Sequence, residues 1–213
     1  MSGKYMAYVG SYSYTGKAKG ITVFDVDVEN GMFKERCEIE VDNSSYVIAS
    51  SDGKTLYSIA DEGVVSFRIL PNGSLARLNS APIRGMRGCH LCTDEEDKYV
   101  FVSGYHDGKT TVLSLNPDGS VGKIVDGVFD RGYGSVAERN FRPHVTCTRR
   151  MPDNRFVLSV DNGIDQVKIY RFNDKEQKLV QVDAIRCDLE SAPRHFRYSK
   201  DGRFIYLMYE LKK

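Results

Sequence analysis

The chain has 213 residues, with 30 Lys and Arg against 29 Asp and Glu for a formal net charge of +1. That is one large or two small domains of about 150 residues, and the balanced charge excludes a general nucleic-acid binder, which needs a basic excess. No apolar run approaches the ~20 residues of a membrane span, Met1 to Gly10 is no secretory signal, and five cysteines suit free thiols in a reducing compartment. The expectation is a cytoplasmic protein with no nucleic-acid or membrane partner. Short alternating or apolar runs follow one another along the chain: Tyr5 to Val9, Ile21 to Val26, Thr55 to Ile59, Val64 to Ile69, Tyr99 to Val102, Thr111 to Leu115, Arg155 to Val160, Gln166 to Phe172 and Arg203 to Met208. Almost no helical stripe interrupts them, which predicts an all-β chain. Between the runs stand turn signals such as Asn30-Gly31, Asp52-Gly53, Asn72-Gly73, Asp107-Gly108, Asp118-Gly119 and Asp201-Gly202. Their residues tolerate the positive φ that hairpins need.

The runs are copies of one unit. Ser51-Asp52-Gly53-Lys54-Thr55-Leu56-Tyr57 returns around Glu96-Asp97-Lys98, around Asp153-Asn154-Arg155 and at Asp201-Gly202-Arg203, at offsets of 44, 57 and 48 residues. After each of the first three copies comes a second strand, and Pro71-Asn72-Gly73 and Pro117-Asp118-Gly119 lead into a third. A repeat of this length built of four short antiparallel strands is the blade of a β-propeller, whose blades stack around a central channel. The expectation is a single propeller domain over 1–213. At about 48 residues per unit the chain holds about four and a half blades, so the domain is expected to be incomplete at its C-terminal end. It is read as a piece of a longer propeller, or as one completed by another polypeptide or by self-association through the open end, since an uncovered blade face is an association hazard.

Several motifs resemble those of the lactonase family of seven-bladed propellers. Arg139-Asn140-Phe141-Arg142-Pro143-His144, then Pro152-Asp153-Asn154-Arg155-Phe156 and Asp161-Asn162-Gly163-Ile164-Asp165, is similar to that family's R-Q-x-x-P-H-x-H, P-D-G-R-F and D-L-G-x-D series. Ala192-Pro193-Arg194-His195 with Tyr209-Glu210-Leu211 is similar to its G-P-R-H and N-E-L, Cys89-His90 with Gly104-Tyr105 to its third motif, and Tyr8-Val9-Gly10-Ser11-Tyr12 to its opening. The sequence departs at Asn140, where the family has Gln, at Thr146, where it has a second His, and at Tyr209, where it has Asn. The family includes bacterial 6-phosphogluconolactonases and fungal carboxymuconate lactonising enzymes. The resemblance implies seven blades in the whole, cofactor-independent hydrolysis of a small anionic sugar lactone, and a site of His144, Arg194 and Glu210. It leaves open a muconate-type cycloisomerase and, as a different class, a non-catalytic propeller that binds or scaffolds.

Residue chemistry fits those positions. Opening a lactone needs an activated water, a donor set for the developing oxyanion, and a hold on the acidic tail. An imidazole accepts a proton near neutral pH, and a guanidinium binds anions while staying charged. His144 is therefore assigned as general base or acid, Arg194 as anion clamp and oxyanion partner, and Glu210 as the orienting carboxylate. Arg139, Arg142, His195 and His90 are candidates for substrate contact, because residues preceding repeated first strands converge at a channel mouth. No metal site is expected: Cys89-His90-Leu91-Cys92 has no second ligand pair nearby, and Asp161 to Asp165 lacks the length and closing Glu of a calcium loop, so it reads as a turn. His106 reads as a turn residue.

Overall fold

The computed structural model describes residues 5–134 and 141–212. Among them every regular element is a strand. A three-stranded sheet comes first: β1 (Tyr5–Gly10), β2 (Gly20–Asp27) and β3 (Met32–Glu40). Three four-stranded sheets follow in chain order: β4 (Val47–Ala49) to β7 (Leu75–Pro82) with β5 (Thr55–Ala60) and β6 (Gly63–Ile69) between, β8 (His90–Thr93), β9 (Tyr99–Gly104), β10 (Lys109–Leu115) and β11 (Val121–Phe129), then β12 (Val145–Arg150), β13 (Val157–Asp161), β14 (Gln166–Asn173) and β15 (Lys178–Arg186). A pair, β16 (Pro193–Tyr198) and β17 (Ile205–Tyr209), ends the described chain. All pairings are antiparallel between sequence neighbours. The last unit thus has two strands, where the sequence pattern showed one.

The repeated turn joins the first strand of a sheet to the second, and its geometry explains its composition. Gly53, Asp97, Asn154 and Gly202 all take positive φ, of 67°, 50°, 59° and 70°, and each donates its N–H to the carbonyl three residues back. Glycine meets that backbone demand without strain, while Asp and Asn are the side-chain-bearing residues that tolerate it best. A second device recurs where the last two strands of a sheet pair: a register shift after Val23, Ser66, Val112 and Ile169. Such bulges raise the local twist.

Middle strands are buried on both faces, so alternate residues enter different cores. On β9, Val100 and Val102 pack with Tyr57, Ile59 and Leu113 toward the preceding sheet, whereas Tyr99 and Phe101 pack with Val157, Tyr170 and Phe172 toward the following one. Ile21, Leu56 and Phe67 fill the space between the first two sheets, and Cys147, Leu158, Val160 and Phe196 the last interface. Between the third and fourth sheets a buried hydroxyl cluster adds polar glue: Thr148 meets Ser103 at 3.0 Å and Ser159 at 3.1 Å, and Thr110 meets Ser159 at 3.0 Å. The first strands of successive sheets, β4, β8, β12 and β16, touch one another. They line a shared axial groove, and the site residues sit on it.

Candidate functional site

His144 directly precedes β12, and its position is fixed by the turn between β13 and β14. The His144 N–H donates to Asp161 Oδ1 at 2.8 Å, and its carbonyl accepts the Asn162 N–H at 2.9 Å. The ring stacks on Tyr105 with centroids 4.3 Å apart and 13° between planes. Its Nδ1 lies 2.6 Å from the Tyr105 carbonyl, which can only accept, so Nδ1 carries the proton and Nε2 keeps a lone pair. Burial, with help from the charges of Arg142 and His106, lowers the His144 pKa against the opposing hydrogen bond, so the imidazole is neutral near pH 7. Gly163 makes this packing possible: a Cβ there would lie 1.8 Å from the Arg142 carbonyl oxygen and 2.8 Å from His144 Cδ2.

Arg194 is the second residue of β16, and its guanidinium makes an ion pair with Glu210. The other Glu210 oxygen accepts from Asn162 Nδ2 at 2.9 Å. Asn162 therefore touches His144 with its backbone and Glu210 with its side chain. Asp165 completes the arrangement by accepting from Glu190 N and Ala192 N, each at 2.8 Å. That holds the link into β16, where Glu190 and Ala192 both take positive φ, 61° and 52°, a conformation that L-residues rarely adopt and neighbours must enforce. Thr146 adds a bond across the sheets, its Oγ1 donating to the Arg194 carbonyl at 2.7 Å. So Asp161 to Asp165 is a turn, as its composition indicated, and it is also the part that brings three site residues into one place.

A cavity of about 220 Å³ opens beside this network, lined by Tyr12, Tyr105, His106, Thr146, Arg194 and His195. Larger depressions of about 630 and 520 Å³ lie between the outer strands β7 and β11 and among the Asp52, Asp97 and Asp118 turns. Neither is lined by an imidazole, and the smaller one is the better candidate on chemistry. His106 is a turn residue that also lines it. Arg142 is exposed, its guanidinium over the Phe141 ring at 5.5 Å. Arg139 and Asn140 lie outside the described residues.

His90 opens β8 and is fully buried, its ring 4.7 Å from Tyr46 and 5.4 Å from His195. Donor atoms of His90, Cys147 and His195 lie within 4.8 Å of one another, a set of the type that binds a soft metal ion. A cation already occupies that position, however. Arg149 Nη2 sits 3.2 Å from His90 Nε2, and its Nη1 donates toward Cys92 Sγ at 3.6 Å, which opposes a dication there. Burial pushes the thiols of Cys89 and Cys92 up to about 12 and about 11. Asp161, Asn162 and Tyr105 lay inside the quoted motifs but carried no role there, because their contacts with His144 and Glu210 form only in the fold; Arg149 lay outside every motif.

Antiparallel sheets stacked face to face, with first strands gathered along one axial groove and carrying the polar residues, define the β-propeller class. The chain belongs to the family described as "Lactonase, 7-bladed beta-propeller", which matches residues 6–213. It is 31% identical over 214 residues to the 6-phosphogluconolactonase of Bacillus subtilis, covering 98% of this chain and 60% of that protein. The 6-phosphogluconolactonase of Formosa agariphila is 27% identical, with 96% and 61% covered. Among solved structures, a periplasmic gluconolactonase of Pseudomonas aeruginosa superimposes with a TM-score of 0.89 at 26% identity, covering 96% of this chain and 61% of that one. The chain spans about 60% of the length of the curated relatives it matches. No helix among the described residues is long and apolar enough to cross a membrane.

Proposed function

We propose that this chain carries the hydrolytic site of a lactonase acting on an acidic sugar lactone such as 6-phosphogluconolactone. The observation that supports it most is the Asn162 bridge, which ties the backbone of His144, whose ring keeps its Nε2 lone pair, to an Arg194–Glu210 pair beside the cavity. In this reading, His144 Nε2 takes a proton from water as the oxygen attacks the lactone carbonyl. Arg194 faces the developing oxyanion, and Glu210 holds the guanidinium so that its remaining N–H groups point to the cavity. Collapse of the tetrahedral intermediate breaks the ring C–O bond, and the imidazolium returns its proton to the leaving oxygen, giving the hydroxy acid. No redox change or group donor is required.

The test is acid release from 6-phosphogluconolactone above its spontaneous hydrolysis. A positioned base contributes roughly 10²–10⁴-fold and one oxyanion donor roughly 10²–10³-fold, so H144A and R194A should each lose about 10²-fold or more in kcat, and E210Q should fall with R194A. Because burial lowers the His144 pKa, the acid limb of the pH–rate profile should lie below the ordinary imidazole value of about 6.5. Wild-type turnover in all three variants would remove the assignment. Turnover of a muconolactone instead would favour the cycloisomerase, and inactivity on both a non-catalytic propeller.

A further inference from the structure

Arg149 stands apart from every other arginine withdrawn from the surface. Among the described residues three arginines are not exposed, Arg87, Arg149 and Arg150. Arg87 meets Asp61 at 2.9 Å, and Arg150 meets Asp174 at 2.9 Å and Asp94 at 3.5 Å. Arg149 has no carboxylate. Its guanidinium meets Cys92 Sγ, His90 Nε2, Cys147 and the hydroxyl of Tyr46, none of them a carboxylate, and its buried Nε has no partner. Those acceptors are neutral, since burial raises the thiol pKa of Cys92 and of neighbouring Cys147 and lowers that of His90. A desolvated cation without a counter-charge is unfavourable unless an anion completes it.

Its surroundings share that deficit. The rings of His195 and His90 are 5.4 Å apart, and burial first, then the guanidiniums of Arg194 and Arg149, depress the proton affinity of His195. His195 lines the cavity, and Arg149, which is half-buried, lies on its other side within reach of its charge. The carboxylate beside Arg194, that of Glu210, has both oxygens engaged, by Arg194 and Asn162.

We propose that Arg149 is the charged partner of a phosphate-bearing ligand in the axial groove, the phosphate binding beside His195, with His90 buried behind it. Arg194, held by Glu210, then serves the reacting carbonyl, and recognition of the anionic tail falls to Arg149. The identity of the ligand rests on the lactonase reading, but its binding does not require turnover.

The experiment is calorimetric titration of the wild type, R149Q and R149K with 6-phosphogluconate and with gluconate, which lacks the phosphate, plus unfolding midpoints. The wild type should prefer 6-phosphogluconate by about tenfold or more, as expected of one charge-assisted contact. R149Q should bring the two ligands within about twofold, and R149K should retain part of the preference. The R149Q midpoint should stay at or above the wild-type value, because an unpaired buried charge is removed, whereas a purely structural arginine would lower it. An unchanged preference in R149Q, or no preference in the wild type, overturns the proposal. Arg149-dependent binding without lactone turnover would instead overturn the hydrolase reading and leave this one standing.

Discussion

Asp161→Asn tests the part of the network on which the site rests. Asp161 Oδ1 accepts three backbone N–H groups, from His144 at 2.8 Å, Gly163 at 2.9 Å and Ile164 at 3.2 Å. Its side chain also meets the carboxylate of Asp130, which takes the Tyr170 hydroxyl at 2.7 Å. Burial first, and the Asp130 charge second, push the Asp161 pKa up to about 8. An aspartate in the unfolded chain titrates near 3.9, so between these values the folded protein binds one extra proton. Its contribution to stability is complete below about pH 4 and falls by about 1.4 kcal/mol per pH unit until the folded group ionises near pH 8. Asparagine keeps the oxygen acceptor, offers an N–H to Asp130 and has no proton to lose. The stability of D161N relative to the wild type should therefore rise by about 3 kcal/mol between pH 5 and pH 7. Urea unfolding followed by tyrosine fluorescence and circular dichroism at unit pH steps measures this. The lowered pKa values of His144 and His195 act with the opposite sign, so the difference between the two proteins is the quantity to read. A difference that stays flat from pH 5 to pH 8 refutes the shared proton.

Gly163→Ala should cost about 1–3 kcal/mol by overpacking and reduce lactone turnover, since the new methyl displaces the Arg142 carbonyl and the His144 ring; thermal unfolding and rate assays read the two effects together. Thr146→Val removes the donor to the half-buried Arg194 carbonyl and should cost about 1 kcal/mol, with an unchanged urea midpoint counting against the cross-sheet bond. Phe101→Ala empties a fully buried position packed edge-on to Phe172 at 5.8 Å and should lower stability by about 3–5 kcal/mol without altering the pH dependence of turnover.

The strands visible in the sequence are those buried on both sides. β5, β9 and β13 read as apolar runs because each face meets a neighbouring sheet. First strands were harder: β4 has three residues and β8 four, and β12 and β16 mix core side chains with polar ones such as Thr146, Arg149 and Arg194. Outer strands such as β3 and β15 are largely exposed and charged, so they carry little hydrophobic signal. The positions of His144, Arg194 and Glu210 were legible because imidazole, guanidinium and carboxylate stand beside repeated turns in a family-like order. Asn162 was not, because its function depends on the tertiary meeting of a turn with residue 210, 48 positions later. Arg149 lacked any signal, since only burial without a carboxylate distinguishes it from a surface arginine. His90, picked as a ligand contact, lies behind His195 with no exposed surface.

The Asp161 to Asp165 turn gives the candidate site groups a common datum. Imidazole, carboxylate and the strand bearing the guanidinium are each gauged from the same five residues rather than from separate sheets. Small errors in the spacing of neighbouring sheets therefore do not add up across the candidate site. The same economy makes the turn a point of common failure: a change that loosens it misplaces imidazole and guanidinium in one stroke.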